Sequence, residues 1–377
     1  MANMMDYLIW RGDLDMGSVP WCDVDGLILA SFCYNDLSSG AQALQAEAPL
    51  RELAPQLDLM ARTGNQYFLQ WRALLYAMAE GTRFGGMRVH HYENVVDSAR
   101  ETQFSALTCD LDDGSAYVAF RGTDSTLVGW REDFNMSYES PVPALNSAVA
   151  YLEAAAARAP GPLRVGGHSK GGNLAAYAAA HVSQAVQKRL ISVYSFDGPG
   201  LDDATIASPG YEHIRPVLRS IIPQSSIVGL LMNYHANYTV VRAKAVSILA
   251  HDAFTWQVQG PRFVPAGLTD ASRLLDETVH EWLKKCTPDQ RKVFVDALFE
   301  ILSATDATTT TELSGDKLRS AAAMLAATRG MDTETRRMFL LLIGRFLSIG
   351  ASNVLGLVAE RQRERIAGLE DKLHPGA

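Results

Sequence analysis

One short run constrains this chain more than any other: Gly166-Gly167-His168-Ser169-Lys170-Gly171-Gly172. It contains Gly-x-Ser-x-Gly, with Gly167 and Gly171 two residues on either side of Ser169. The run follows a β-type segment, Leu163-Arg164-Val165, and opens an alanine-rich helical stretch, Gly172 to His181. Strand, tight turn and helix in that order make a nucleophile elbow, in which a serine hydroxyl projects above a sheet. Small residues are required beside the serine because strand and helix backbones crowd there. The helix N-terminus behind it presents free N–H groups and a partial positive charge to a developing anion.

Around the elbow the pattern alternates. Gln103 to Cys109 and Ser115 to Phe120 read as strands joined by Asp112-Asp113-Gly114, a hairpin signal. A helix of small residues covers Ala144 to Arg158, and Leu190 to Phe196 reads as the strand after the elbow helix. Ser220 to Met232 reads as a strand and turn, and Tyr238 to Val246 as one more strand. Strand–helix–strand alternation predicts a mainly parallel sheet with helices on both faces, the α/β class. The first 85 residues read as helical, with Ala41 to Leu59 and Asn65 to Glu80 the clearest runs. From about Thr269 the chain reads as helices only, and Ala304 to Gly315 reads as an internal loop. The expected organisation is an α/β domain over 1–265, with a helical N-terminal elaboration over about 1–85, and a helical appendage over 266–377.

A serine hydroxyl needs a base, and in this architecture the order is serine, acid, histidine. His251, in Leu249-Ala250-His251-Asp252-Ala253-Phe254-Thr255-Trp256, follows the last strand-like run and is the expected base. His181 lies on the elbow's own helix, His213 and His235 in polar loops, and His280 and His374 in the helical tail. For the acid, Asp197 ends the strand after the elbow helix; Asp252, Asp202 and Asp203 are the alternatives. A second oxyanion donor belongs after an earlier strand. Phe120-Arg121-Gly122-Thr123-Asp124 fits, so the N–H groups of Thr123 and Lys170 are the expected oxyanion pair, with Arg121 and Asp124 holding the loop in shape.

These stretches resemble a family. Phe120 to Asp124 together with Gly167 to Gly172 is similar to the class 3 lipases, which are α/β-hydrolases. A closer resemblance is to the Mbeg1-like proteins. It runs in order through Trp10-Arg11-Gly12-Asp13, Gln103 to Ala106, Phe120 to Asp124, Gly129-Trp130-Arg131-Glu132-Asp133-Phe134, the elbow, Asp197-Gly198-Pro199-Gly200, Ile222 to Gly229 and His251 to Trp256. The resemblance covers about residues 7 to 260 and leaves the helical tail without a motif. It implies an α/β-hydrolase fold and a lipase or esterase activity, with Ser169 as nucleophile, Thr123 at the oxyanion and His251 as base. The chain departs from class 3 lipases in two places. Lys170 stands where Leu or Met is usual after the serine. Ser225-Ser226 stands where those lipases carry the acid. Pancreatic-type lipases place the acid directly after the strand that follows the elbow, and Asp197 matches that arrangement.

The resulting expectation is a serine hydrolase of a small-molecule or lipid ester, working through an acyl-enzyme with no metal or organic cofactor. A catalytically inactive hydrolase-like binding protein and an acyltransferase are the alternatives. Two regions are candidate lids: the N-terminal helices and the loop Leu201 to Arg219.

Composition narrows partners. The chain has 377 residues and a net charge of −8, which argues against nucleic acid, a polyanion that needs clustered Lys and Arg. Cys22, Cys33, Cys109 and Cys286 are scattered, without finger or disulfide spacing. With no signal-peptide pattern at the N-terminus, a cytoplasmic location is expected. Phe339 to Val358 is the most apolar stretch, but Arg345 sits in its middle, which makes a spanning helix expensive. This stretch is a candidate for peripheral lipid contact or self-association. The acidic residues that break the basic run after it favour packing against the hydrolase domain or a second copy.

Overall fold

In this computed structural model the described residues are 2–57, 66–97, 102–123, 141–230, 232, 238–303, 329–330, 332–344 and 347–349. The chain divides into two compact units, Met1–Leu268 and Thr269–Ala377.

The first unit is built on a seven-stranded sheet: β1 Arg88–Asp97, β2 Thr102–Asp110, β3 Ala116–Phe120, β4 Leu163–His168, β5 Leu190–Phe196, β6 Leu218–Pro223 and β7 Tyr238–Val241. The strands lie side by side in chain order. β1, β2 and β3 pair antiparallel, and β3 through β7 run parallel. This strand order, with helices on both faces and a serine elbow at the end of a central strand, is an α/β-hydrolase fold.

Alternation along the strands shows how both faces are filled. Ala116, Val118 and Phe120 point to one core, together with α4 (Pro143–Arg158) and α5 (Lys170–His181). Tyr117 and Ala119 point the other way, into a core shared with α1 (Met4–Arg11), α2 (Asp23–Phe32) and α3 (Gln66–Glu80). The N-terminal helices are therefore one layer of the sandwich. Leu27, Ile28, Leu29 and Phe32 of α2 are completely buried. Each such side chain contributes about 1.5–3 kcal/mol of burial.

The N-terminal layer is fastened by one buried ion pair. Arg83 donates to both carboxylate oxygens of Asp25, at 2.7 and 2.6 Å. Asp25 also accepts from the Tyr7 hydroxyl at 2.9 Å and the Cys22 N–H at 2.9 Å. The remaining guanidinium hydrogens reach the carbonyls of Leu14, Val19 and Pro20. Burial, with the Asp25 charge beside it, pushes the Cys22 thiol up to about 11. All four cysteines are free.

One expectation is corrected here, and one strand is added that the sequence reading did not address. Ala41 to Leu59 is not one helix. Over its described residues it breaks into Ala41–Gln45, Leu50–Leu53 and Ala54–Gln56, since Pro49 and Pro55 each remove a backbone donor. Arg88–Asp97 is a strand that the hydropathy pattern hides. It lies at the sheet edge, and a register shift between His90 and Glu93 interrupts its alternation.

The second unit contains α6 (Asp270–Lys285) and α7 (Pro288–Ser303). Trp282 and Cys286 share a small core with Leu342 and Ile349, and the Trp282 indole donates to the Leu342 carbonyl at 3.0 Å. The loop expected over Ala304 to Gly315 lies outside the described residues. Among the described residues no helix is long and apolar enough to cross a membrane.

Candidate active site

β4 ends at His168, and Ser169 follows at φ 59°, ψ −135°. A non-glycine residue there is strained by about 1–3 kcal/mol. The surrounding backbone enforces it. The Ser169 N–H donates to the Phe196 carbonyl of β5 at 2.9 Å, and the Ser169 carbonyl accepts from the Gly172 N–H at 2.8 Å. The glycines at 167 and 171 are obligatory. A Cβ on Gly167 would lie 2.5 Å from the Phe120 carbonyl oxygen, and one on Gly171 would overlap that same oxygen.

Asp197 follows β5 as Ser169 follows β4, and it too has positive φ, 47°. Adjacent parallel strands thus deliver two strained residues to one end of the sheet. Asp197 is fully buried. Its Oδ1 accepts from the Ser226 hydroxyl at 2.5 Å and the Gly229 N–H at 3.1 Å. Its Oδ2 accepts from His251 Nδ1 at 2.7 Å. His251 comes from a short helical turn, Ser247–His251, and its side chain is 22% exposed. A carboxylate on Nδ1 leaves Nε2 as the ring nitrogen free to take a proton.

The described hydrogen bonds include none between Ser169 Oγ and His251. Such bonds are often long or misaligned without substrate and tighten in the reacting complex.

β3 delivers the loop Arg121-Gly122-Thr123 to the same place. A Cβ on Gly122 would lie 3.0 Å from Ser169 Cβ and 2.5 Å from the His168 carbonyl oxygen. Thr123, half-buried, is therefore next to the elbow. Asp124 and the stretch Gly129 to Phe134 lie outside the described residues. Lys170 is the first residue of α5, so its N–H belongs to a helical first turn, where no intrahelical acceptor exists. Its side chain runs inward, is 1% exposed, and donates from Nζ to the Gln103 carbonyl at 2.9 Å. The lysine therefore occupies a buried position beside the sheet.

The other candidates lie elsewhere. Asp252 caps the next turn, accepting from the Phe254 N–H at 3.0 Å, and burial raises its pKa. Asp202 caps the helix Asp203–Ile206. His181 bonds the Tyr177 carbonyl and His280 pairs with Asp276. His213 lies in the helix Pro209–Ile214, not in a loop. His235 and His374 lie outside the described residues.

Four residues join the site that the sequence did not single out. Ser226 and Gly229 cradle Asp197. His168 bonds the His251 carbonyl through Nε2 at 2.8 Å, and its Nδ1 stands 3.1 Å from the Tyr34 hydroxyl. Ser226 had a signal, since the sequence comparison set Ser225-Ser226 where class 3 lipases carry the acid. Tyr34 had none.

A family model described as Mbeg1-like matches residues 78–300. The chain belongs to the Mbeg1-like family. The match spans more than half of the chain and contains Ser169, Asp197 and His251, while Tyr34 lies outside it. Comparison with curated proteins gives no match. Among solved structures, the Rhizomucor miehei lipase in its propeptide complex overlaps at a TM-score of 0.37, with 13% identity, over 60% of this chain and 78% of that one. The M37 lipase overlaps at 0.33, with 18% identity, over 46% of this chain and 66% of its own length. Overlaps this loose say nothing about activity, and the fold assignment of this Mbeg1-like chain rests on its strand order and elbow.

Proposed function

We propose that this protein is a serine hydrolase of carboxylic esters, of the lipase or esterase kind. The observation that carries the reading is the pairing of a strained elbow serine with a His251–Asp197 hydrogen bond of 2.7 Å at the next strand end. In this reading Ser169 Oγ attacks the ester carbonyl while His251 Nε2 takes its proton. Asp197 orients the imidazole and stabilises its cationic form. The N–H groups of Thr123 and Lys170 hold the oxyanion, supplemented by the dipole of α5. The imidazolium gives its proton to the departing alkoxide, which leaves as the alcohol. Water, deprotonated by the same imidazole, then cleaves the acyl-enzyme, releasing the acid and restoring Ser169. The substrate is a small-molecule or lipid ester, and no step calls on a metal or organic cofactor.

A fluorophosphonate probe tests this directly. The expected result is labelling of the folded wild type and none of Ser169→Ala. Equal labelling of both proteins, or none in folded wild type, would overturn the reading. A series of acyl esters, with and without an alcohol acceptor, then sets chain length and separates hydrolysis from acyl transfer.

A second reading is binding without turnover. That the hydrogen bonds among the described residues include none between Ser169 and His251 favours it, and the same probe decides.

A further inference from the structure

His168 has no part in the proton transfers described above, yet it touches both halves of the site. It is the last residue of β4 and is covalently joined to Ser169. Its ring lies 4.5 Å from the His251 ring, centroid to centroid, at 35°. Its Nε2 is 2.8 Å from the backbone carbonyl of His251. A carbonyl can only accept, so Nε2 must carry the hydrogen. Nδ1 is then a bare lone pair, and the Tyr34 hydroxyl 3.1 Å away donates to it. Tyr34 is fixed in turn by stacking on Trp71, with centroids 4.6 Å apart and planes at 15°.

We propose that His168 is a positioning residue that ties the backbone of the His251 turn to the nucleophile elbow, with Tyr34 selecting the tautomer that makes the tie. The clamp rests on the serine-hydrolase reading only for its catalytic consequence; the mechanical tie stands apart from it.

The logic is geometric. Asp197 fixes the His251 ring by its Nδ1, the backbone around it is held at Ala250 by the Trp256 indole and at Phe254 by the Asn3 amide, each at 2.9 Å, and the His168 bond adds a tie at the His251 carbonyl itself. The turn is a short helical stretch, Ser247–His251, followed by another, Ala253–Thr255. The His168 bond fixes that backbone to the residue beside Ser169. Base and nucleophile then share one rigid reference. A displacement near 1 Å between reacting groups costs about 100-fold in rate. The ring must also stay neutral, since a second cation 4.5 Å from the His251 ring would oppose the proton that His251 has to accept. Full burial does this, holding the His168 pKa down to about 3.

Four variants in the full chain test the clamp: His168→Gln, His168→Asn, His168→Phe and Tyr34→Phe. Glutamine carries an amide nitrogen at about the reach of Nε2. Asparagine falls one bond short, and phenylalanine has no donor. The first readout is hydrogen exchange of peptides covering 247–256, whose amides include the bonded N–H groups of Asp252, Thr255 and Trp256. Phe and Asn are expected to speed exchange there about tenfold relative to peptides of α4, with Gln within about threefold of wild type and Tyr34→Phe between them. The second readout is turnover of a p-nitrophenyl butyrate probe. Phe and Asn are expected to lower kcat by about 10- to 100-fold with KM within about twofold, and Gln to restore most of it. If Phe does not fold, Asn carries the same comparison.

Unchanged exchange over 247–256 in both Asn and Phe would overturn the proposal, and so would equal loosening by Gln, Asn and Phe. Failure of the hydrolase reading shows differently, as wild type lacking Ser169-dependent turnover, and exchange then still decides the clamp.

Discussion

Asp25 and Asp197 are both buried to zero exposure, and both have their oxygens filled by hydrogen bonds, yet their partners differ in kind. Asp25 faces a permanent cation. Arg83 bonds both its oxygens, and both side chains are sealed from water. Asp197 faces neutral donors, Ser226 and Gly229, on one oxygen and an imidazole on the other. That imidazole can gain and lose charge and is partly open to solvent. A carboxylate neutralised by arginine has nothing left to do but hold the fold. A carboxylate whose only ionisable hydrogen-bond partner is a histidine is poised to stabilise a charge that comes and goes. In the proposed hydrolase reading, the contrast separates a structural buried acid from a functional one within a single domain.

Substitutions at the two acids should fall on opposite readouts. Asp197→Asn keeps the shape but offers the wrong partner to His251 Nδ1, and in the Ser-His-Asp template this exchange lowers kcat by about 10⁴-fold. The check is turnover and fluorophosphonate labelling rate, with the urea midpoint as control. A loss under tenfold would remove Asp197 from the mechanism. Arg83→Met should do the reverse. Leaving Asp25 buried and unpaired costs about 3–5 kcal/mol of stability, while specific activity of the folded fraction stays near wild type. Urea titration measures the first and active-site titration the second; a cost below about 1 kcal/mol would mean that water reaches Asp25 freely. Ser226→Ala is gentler. It removes one of two donors to Asp197 Oδ1, a charged hydrogen bond worth about 1.5–3 kcal/mol, so kcat should fall about tenfold. An unchanged kcat would show that Gly229 alone suffices.

How much of this was legible from the sequence divides along the same line. The elbow was legible because its demands are local: strand, small residue, serine, small residue and helix are contiguous in the chain. The placement of Asp197 was legible because a strand end beside the elbow strand is predictable once the sheet is parallel. The partners of each acid were not. Arg83 reaches Asp25 across 58 residues, and Ser226 reaches Asp197 across 29. No periodicity encodes such pairs. The N-terminal helices read correctly as helices, but their place as one layer of the sheet depends on packing against Tyr117, Tyr194 and Phe196, from strands far away in the chain. β1 escaped because an edge strand with a bulge has no clean alternation to find. Tyr34, as a lone aromatic after α2, gave no sign that its hydroxyl meets the elbow.

A last prediction concerns His168, a buried group of a third kind, bonded to the Tyr34 hydroxyl and the His251 carbonyl. Its pKa falls from an ordinary 6.5 to about 3, first through burial and then through the nearby His251. The sign of the linkage follows from proton counts. Between those two values the unfolded chain holds a proton at this position and the folded chain does not. The stability contributed by the neutral ring is therefore complete above pH 6.5 and is lost as pH falls toward 3. The slope for one group is about 1.4 kcal/mol per pH unit. From pH 7 to pH 5, wild type should lose about 2 kcal/mol more than His168→Gln, whose side chain does not titrate. Urea titrations of the two proteins at both pH values measure it, and taking the difference between them cancels the carboxylates and the other histidines. A difference near zero would mean that water reaches the ring and that His168 becomes charged in the folded state. The charge on His168 would then oppose the proton that His251 has to accept in the proposed mechanism, and activity should fall at mildly acid pH before the fold does.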